Sequence, residues 1–363
     1  MTAPAHRAAR PQPDADPPRP PRVDGPTWHL ADPGHLARIG VAGRLVRHDV
    51  PASALVGNPL GDPATRPLVV HVPPGTAPGT PLPVVLVLHG AWTDVGGWFA
   101  DEVAVRRGAA AVERAVAAGA APALVAFVDG WTSLGGSQYL DSAAVGRYQS
   151  YLADDVLPFL DATYPTLPGA RTVIGHSSGG FGALRLALDR PGLVRGVGAL
   201  AADALFEGVH LSSLLPAVRR LQTAYGGSYD ALWAARAAAG WTPPGEDAAA
   251  LDQYLLAAAY SWPDLLARPG TGELDLRVWD RWLRHDPVRR VRDPAVAPAL
   301  RALAHVHLGA GTRDEFHADV AARALHLELA RRGVPTSLHL HDGGHAQAAD
   351  LEHCYRHLLP GSL

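Results

Sequence analysis

Residues 173–180 (VIGHSSGG) decide the fold of this chain of 363 residues. A short apolar run breaks at a G-x-S-x-G pattern centred on Ser177 and continues into a helix-like segment at 181–188. A serine on a tight turn between a strand and a helix has its Oγ held in the open, and the flanking glycines let neighbouring backbone approach without a Cβ clash. The stretch therefore predicts a nucleophile elbow. Because the pentapeptide also occurs in ordinary loops, the rest of the chain must supply the context.

Similar apolar runs recur along the chain and alternate with helix-like segments. The predicted strands lie at 43–50, 67–72, 83–88, 123–128, 173–176, 196–200, 304–308 and 336–341. The predicted helices between them lie at 101–118, 148–164, 181–188 and 316–332. Runs that are apolar on both faces suit central parallel strands, and the first two runs suit an antiparallel edge. The alternation predicts an α/β fold, with a mostly parallel central sheet and helices on both faces.

The alternation stops between residues 202 and 300. Short helix-like patterns at 214–225, 229–239, 247–260 and 276–283 are separated there by proline and glycine. An insertion of this length predicts a helical cap over the site. Its tryptophans are Trp233, Trp241, Trp262, Trp279 and Trp282. For each of them, packing inside the insertion is expected more often than substrate contact.

The predicted domains follow from these patterns. Residues 31–201 and 301–363 form an α/β catalytic core, and residues 202–300 form the cap. Residues 1–30 are rich in Pro, Ala and Arg, which disfavours a packed core, so a disordered tail is predicted there. The tail lacks the apolar segment of a signal peptide.

Composition excludes several classes of function. The net charge is −3, which favours neither nucleic acid nor an anionic membrane as a partner. All basic residues are arginine, so a catalytic lysine is excluded. The single cysteine, Cys354, excludes an internal disulfide and is compatible with a reducing compartment, so the cytoplasm is predicted. No apolar run is long enough for a membrane span.

Two loops after late strands carry the partners that a serine nucleophile needs. A hydroxyl is a poor nucleophile unless an imidazole accepts its proton and a carboxylate orients that imidazole. In this type of sheet such groups gather at the carboxyl ends of parallel strands. Asp314 follows the run at 304–308, and His345 follows the run at 336–341 in the sequence DGGH. Ser177, Asp314 and His345 are therefore the predicted catalytic residues, in the order serine, acid, histidine.

Other assignments stay open for the acid and the base. Asp314 could instead cap the following helix, and Glu315 or Asp286 could serve as the acid. The histidines that compete with His345 are His339, His341, His353 and His357. Only His345 lies in a Gly-Gly turn directly after the last strand.

Two pairs of histidines have a spacing that could in principle hold a metal ion. His353 and His357 are four residues apart on a predicted helix, and His305 and His307 share one face of a strand. No carboxylate completes a known metal motif such as H-E-x-x-H. The sequence therefore predicts neither a metal nor a cofactor.

The oxyanion hole requires two backbone N–H donors. Ser178, the residue after the nucleophile, provides one, and Ala91 is predicted to provide the other, with Trp92 as the alternative. The residues predicted to line the substrate pocket are Trp92, Asp129, Gln138, Tyr139 and Asp203. Capping or turn roles are equally open for the two aspartates.

The motifs together resemble the α/β-hydrolase superfamily. The matching pieces are LVLHG at 86–90, GGSQYLDS at 135–142, GRYQSYLADDVLPFLDATY at 146–164, GHSSGGFGAL at 175–184, GTRDEF at 311–316 and GGH at 343–345. The likeness spans residues 40–359. It is greatest to the putative-esterase branch, which includes esterase D, feruloyl esterases, enterochelin-esterase-like proteins and mycolyltransferases. The insertion at 202–300 and the sequence Ala-Gln-Ala at 346–348 depart from the branch.

The resemblance implies a serine hydrolase acting on a small carboxylic ester. Ser177 would be the nucleophile, Asp314 the acid and His345 the base, with the amides of Ala91 and Ser178 as oxyanion donors. The expected reaction is ester hydrolysis through an acyl-enzyme. The alternative is transfer of the acyl group to an alcohol, amine or sugar by the same residues. A catalytically silent binding protein is disfavoured, because every triad position is filled.

Overall fold

The computed structural model describes residues 40–99, 108–240, 242–348 and 350–361. The tail predicted at 1–30, the start of the helix predicted at 101–118, and Trp241 lie outside these residues. Within them the strands are β1 (Arg44–Pro51), β2 (Thr65–Val72), β3 (Leu82–Leu88), β4 (Leu124–Val128), β5 (Asp141–Ser142), β6 (Gly146–Arg147), β7 (Thr166–His176), β8 (Gly196–Leu200), β9 (His305–Gly311) and β10 (Thr336–His341).

Eight of these strands form one sheet in the order β1-β2-β4-β3-β7-β8-β9-β10. Every neighbouring pair from β4 to β10 is parallel, whereas β1 and β2 join the edge of the sheet antiparallel. The mostly parallel sheet and its antiparallel edge are as predicted, and the α/β fold is confirmed. Strands β3, β7, β8, β9 and β10 are parallel neighbours, so their carboxyl ends lie on the same side. The loops after them therefore meet at one edge of the sheet.

The helices of the described residues lie on both faces of this sheet. They are α1 (Gly108–Ala117), α2 (Tyr148–Ser150), α3 (Leu157–Thr163), α4 (Ser178–Asp189), α5 (Phe206–Ser212), α6 (Leu214–Tyr225), α7 (Tyr229–Ala239), α8 (Ala248–Tyr260), α9 (Leu276–Leu283), α10 (Pro287–Arg292), α11 (Ala297–Ala302), α12 (Ala318–Arg331) and α13 (Leu351–Leu358). A π-helical segment, Tyr151–Val156, joins α2 to α3. None of these helices has both the length and the apolar character needed to cross a bilayer.

Alternation along the strands explains the two helical layers. Leu86 packs in a core with α4 and α12, whereas its neighbours Val85 and Val87 pack in a second core with α1 and α13. All three side chains are fully buried. A strand that is apolar on both faces therefore has a helical layer to cover each face.

Helices α5–α11 occupy the chain between β8 and β9. Part of this insertion has a core of its own, in which the aromatic rings of Phe206, Tyr260 and Trp282 pack with Phe181 of α4. Trp282 is fully buried, and its Nε1 donates to the Ser261 hydroxyl at 2.8 Å. Helices α6–α9 agree with the four predicted patterns, whereas α5, α10 and α11 were not predicted. Treating residues 202–300 as a separate cap domain stays a prediction.

Candidate active site

The serine of the G-x-S-x-G pattern stands on a sharp turn between β7 and α4. Ser177 has a φ of 57° and a ψ of −124°, an unusual conformation for a residue with a side chain. A Cβ on Gly175 would lie 2.0 Å from the Gly179 oxygen, and one on Gly179 would lie 2.5 Å from the His89 oxygen. Both glycines are needed because backbone fills the space that a side chain would take.

His345 joins the serine to a buried carboxylate. Its Nε2 lies 3.0 Å from Ser177 Oγ, and its Nδ1 lies 2.8 Å from Asp314 Oδ2. The Asp314 side chain is fully buried, while 17% of the His345 side chain remains exposed. Since the carboxylate accepts from Nδ1–H, Nε2 is left to accept the serine proton. The structure thus brings together all three predicted catalytic residues.

The environment of Asp314 favours its charged form. Burial by itself would raise the pKa of this carboxyl, but the hydrogen bond from His345 and the backbone N–H of Phe316 outweigh burial and lower the pKa. The Phe316 N–H donates to Oδ1 at 2.9 Å. His317, rather than Asp314, is in the N-cap position of α12, which begins at Ala318.

The other two acids have different partners. Glu315 Oε2 accepts from the backbone N–H of His345 at 2.8 Å, so it holds the histidine loop rather than the imidazole. Asp286 is buried at the start of α10. Its carboxylate accepts from the backbone N–H groups of Val288, Leu205 and Phe206.

Two further residues that the sequence reasoning missed hold the histidine. The Nε2–H of His176 donates to the backbone oxygen of His345 at 3.0 Å. The Phe316 ring lies edge-on to the imidazole of His345, with 4.7 Å between ring centroids. Their only sequence signal is adjacency, because His176 precedes the nucleophile and Phe316 follows the acid loop.

Two backbone N–H groups beside Ser177 are free to bind a developing oxyanion. Within the described part of the chain, no acceptor pairs with the N–H of Ala91 or Ser178. The N–H of Trp92, the alternative to Ala91, already donates to the Gly135 oxygen at 2.7 Å. Gly90 allows the approach of this loop, since a Cβ there would lie 3.2 Å from Ser177 Cβ. The geometry therefore favours Ala91 over Trp92.

A cavity of about 130 Å³ opens beside the serine. It is lined by Ala91, Trp92, Gln138, Ser177, Ser178, Asp203, Val209, His210, Ser213, Asp252, Leu255, Leu256, Phe316 and His345. Trp92, Gln138 and Asp203 line the cavity, as the sequence predicted. Seven lining residues, at 203, 209, 210, 213, 252, 255 and 256, come from the insertion. None of its four described tryptophans lines the cavity.

Asp129 and Tyr139 do not line the cavity, in contrast to the prediction, because both lie in the scaffold beneath it. The Asp129 carboxylate pairs with Arg66 at 3.3 Å, and both side chains are buried. Tyr139 is 1% exposed and donates its hydroxyl to the His89 oxygen at 3.2 Å. Its ring packs under α4, where a Cβ on Gly182 would lie 2.6 Å from Tyr139 Cβ.

Two carboxyl groups without a cationic partner in the described structure face this cavity. Burial, together with the neighbouring Asp252, raises the pKa of Asp203 to about 7, although His345 acts in the opposite direction. Burial also raises the pKa of Asp252 to about 6, against a 2.5 Å hydrogen bond from Trp92 Nε1 and the charge of His345. Gln138 Nε2 donates to Asp203 at 3.4 Å, and Gln138 Oε1 is buried with no partner among the described residues. This side of the cavity is rich in acceptors.

Comparison with known proteins shows the family and the fold of the chain. A family model described as putative esterase matches residues 63–362. A ferulic acid esterase structure is 18% identical, with a TM-score of 0.54 over 87% of this chain and 96% of that one. The S-formylglutathione hydrolase of Agrobacterium tumefaciens is 16% identical, with a TM-score of 0.53 over 88% and 96%. That of Staphylococcus aureus is 16% identical, with a TM-score of 0.51 over 88% and 98%. At these identities the likeness is one of fold.

One curated protein shares a short segment with the chain. The S-formylglutathione hydrolase of Mus musculus is 40% identical over 55 residues. These residues are 15% of this chain and 20% of the mouse protein. The match thus covers a fifth of that relative.

Proposed function

The chain belongs to the putative esterase family, and we propose that it is a serine-dependent hydrolase of carboxylic esters that works through an acyl-enzyme. One observation carries the proposal: His345 bridges Ser177 Oγ and Asp314 at hydrogen-bond distances of 3.0 and 2.8 Å. This arrangement supplies the general base that an alcohol nucleophile requires. The predicted roles of Ser177, Asp314 and His345 are therefore retained.

The first half of the proposed reaction forms the acyl-enzyme. Ser177 Oγ attacks the ester carbonyl carbon while its proton passes to His345 Nε2. The negative charge that develops on the carbonyl oxygen is stabilised by the N–H groups of Ala91 and Ser178. His345 then gives the proton to the leaving alcohol oxygen, and the carbon–oxygen bond of the ester breaks.

The second half releases the acid. Water attacks the acyl carbon and gives a proton to His345, which returns it to Ser177 Oγ as the acyl–serine bond breaks. Asp314 stays ionised throughout and holds the imidazole in the required tautomer. The lowered pKa of Asp314 supports that role.

The acceptors in the cavity indicate the kind of ester that fits. Asp203, Asp252 and the unpartnered Gln138 Oε1 can all accept hydrogen bonds from a ligand. Beside Asp252 on the same helix, α8, Leu255 and Leu256 offer apolar surface to the cavity. We propose an ester whose acyl or alcohol part carries hydroxyl or ammonium donors beside an apolar portion, because such donors would satisfy buried groups that otherwise lose solvation.

Covalent labelling tests the mechanism directly. A fluorophosphonate probe should label the wild type and not Ser177→Ala, and a short p-nitrophenyl ester should be hydrolysed only by the wild type. Ser178→Ala is the matched control, since it removes a neighbouring hydroxyl and keeps the backbone N–H. A folded wild type that neither reacts with the probe nor hydrolyses any ester would reject the proposal.

Paired esters test the substrate class. A p-nitrophenyl ester of a hydroxylated acid and one of the unsubstituted acid of equal length should differ in kcat/KM in favour of the hydroxylated compound. In Gln138→Leu the preference should fall, because the orphan acceptor is gone. Equal preference in the two proteins would remove Gln138 from substrate recognition. An ester of ferulic acid and the thioester S-formylglutathione belong in the same panel, since the names of similar structures contain those compounds.

Acyl transfer is the second candidate, favoured by the insertion that lines the cavity. Val209 of α5 and Leu255 of α8 place apolar side chains beside the serine, where they would restrict water. An alcohol, amine or sugar acceptor would then attack the acyl-enzyme in place of water. Product analysis at high acceptor concentration decides, and release of free acid alone would exclude transfer to the acceptors tested.

A further inference from the structure

A group of histidines lies outside the active site, between the sheet and the C-terminal helix. His305 and His307 lie on one face of β9, His339 lies on the same face of β10, and His353 and His357 lie on α13, which covers this face. We call these five residues the histidine cluster. The fold brings them together although 52 positions separate His305 from His357 in the sequence.

Three members of the cluster are close enough to share one ion. The ligand nitrogens of His307, His353 and His357 all lie within 4.8 Å of one another. The ring centroids are 4.3 Å apart for His353 and His357, and 4.8 Å apart for His307 and His357. His353 is also in reach of His339 and Asp350, which form a second set within the same limit.

The hydrogen bonds of the cluster leave nitrogen lone pairs available. His357 Nδ1 lies 2.9 Å from the backbone oxygen of His353, and because a carbonyl only accepts, Nδ1 carries the proton and Nε2 has a free lone pair. His307 Nδ1 contacts the Ser337 hydroxyl at 2.8 Å, which leaves its Nε2 for another partner. Metal-binding histidines commonly donate their second ring nitrogen to a carbonyl or hydroxyl in this way.

The surroundings keep the buried imidazole neutral, the form that binds metal ions. Burial lowers the pKa of His307 to about 3, and the nearby imidazoles of His357 and His353 add to the effect. Burial and neighbouring imidazoles also lower the pKa of His353. His307 and His353 can therefore each offer one ring-nitrogen lone pair to an ion.

We propose that His307, His353 and His357 bind one divalent transition-metal ion, Zn²⁺ in the first instance, with water as the fourth ligand. Tetrahedral Zn²⁺ with Zn–N bonds of about 2.0–2.1 Å needs nitrogens roughly 3.3 Å apart. His357 is exposed and His353 half-buried on α13, so rotations of these two side chains can close the remaining distances. The sequence predicted no metal, because no motif on one element contains these ligands.

The bound ion would tie α13 to β9. His307 belongs to the sheet, whereas both other ligands belong to the helix that ends the described chain. An ion that binds the folded state alone stabilises it by mass action. The proposed site is therefore structural and independent of ester hydrolysis.

Titration calorimetry with Zn²⁺ tests the site. The full chain is prepared without a polyhistidine tag and treated with chelator, and one Zn²⁺ per chain should bind with a rise in Tm. His357→Ala and His353→Ala should each weaken binding at least tenfold. His326→Ala is the matched control, because His326 lies on α12, on the opposite face of the sheet. It should bind Zn²⁺ like the wild type.

Two further measurements keep the test decisive. Co²⁺ in the site should give the visible absorption of a tetrahedral complex, and this band should persist in His345→Ala, which separates the cluster from the catalytic histidine. Circular dichroism should show that exposed His357→Ala remains folded. Saturable binding that is equal in wild type and His357→Ala, binding lost only in His339→Ala, or no saturable binding would each overturn the assignment.

Discussion

The imidazole of His176 donates from Nε2 to the backbone oxygen of His345 at 3.0 Å. This bond joins the elbow that presents Ser177 to the loop that presents the proposed base. The two rings also lie 5.0 Å apart. His176 therefore positions the histidine without touching the reacting atoms in the proposed mechanism.

We predict that His176→Ala lowers kcat about tenfold with little change in KM. A loss of orientation worth roughly 1.4 kcal/mol in the transition state corresponds to that factor. His176→Gln keeps a donor and should restore part of the rate. A pH–rate profile should retain its shape in both variants, since the titrating base is still His345. An unchanged kcat in His176→Ala would show that the Ser177–His345 distance does not depend on this bond.

The three candidate acids should behave differently when their carboxylates are replaced by amides. Asp314→Asn should lower kcat by about 10³–10⁴, because the amide can hold His345 in the wrong tautomer. Glu315→Gln should have a much smaller effect, since an amide oxygen can still accept from the His345 N–H. Asp286→Asn should lower Tm and leave kcat nearly unchanged, because its carboxylate accepts hydrogen bonds from three backbone N–H groups away from the proposed triad. Equal losses of kcat in Asp314→Asn and Glu315→Gln would contradict the assignment.

The site residues that the sequence could predict all follow strands. Ser177, Asp314 and His345 come directly after apolar runs that end at the same edge of the sheet, so the topology alone gathers them. The family resemblance, also made from the sequence, is confirmed by the family match over residues 63–362. Local pattern and global topology agree at these positions.

The residues that the sequence could not place depend on packing between distant segments. Asp252 reaches the cavity only because α8 of the insertion lies over Trp92. Asp129 directly follows β4, as a pocket residue would, yet buried Arg66 on β2 draws its carboxylate away. Helices α5 and α10 were not predicted. The backbone N–H groups at the start of both helices donate hydrogen bonds to the Asp286 carboxylate. No periodicity in one segment contains such information.

We predict that Gly175→Ala disrupts the fold. Its Cβ would lie 2.0 Å from the Gly179 oxygen, and backbone on both sides cannot yield without breaking the elbow. A loss of more than about 3 kcal/mol is expected, in the range of severe steric changes. Gly208→Ala on α5 is the control, because the nearest atom to its Cβ would be 3.7 Å away and alanine favours helices. Chemical denaturation of both variants measures the difference, and a Gly175→Ala variant as stable as Gly208→Ala would contradict the tight turn.

The buried carboxyl of Asp203 should make stability depend on pH. Its pKa is raised to about 7, from an ordinary value near 3.8, mainly by burial. The folded protein then binds a proton more tightly than the unfolded chain, so stability falls as pH rises from about 4 to 7 and the cost is complete above pH 7. Asp203→Asn removes the cost and should be more stable than the wild type at pH 8, by about 1–3 kcal/mol after allowance for water in the cavity.

The gain from Asp203→Asn should shrink by more than half at pH 5, because the wild-type carboxyl is then protonated in the folded state. Denaturant unfolding at the two pH values measures the change. Asp280→Asn is the control, because the Asp280 side chain is 65% exposed. The change in unfolding free energy that this variant causes should not differ between the two pH values in the same way. A gain from Asp203→Asn that is the same at pH 5 and pH 8 would mean that Asp203 is already ionised at pH 5. The acceptor-rich side of the cavity would then carry a permanent negative charge, and it would favour ammonium over hydroxyl groups in the substrate.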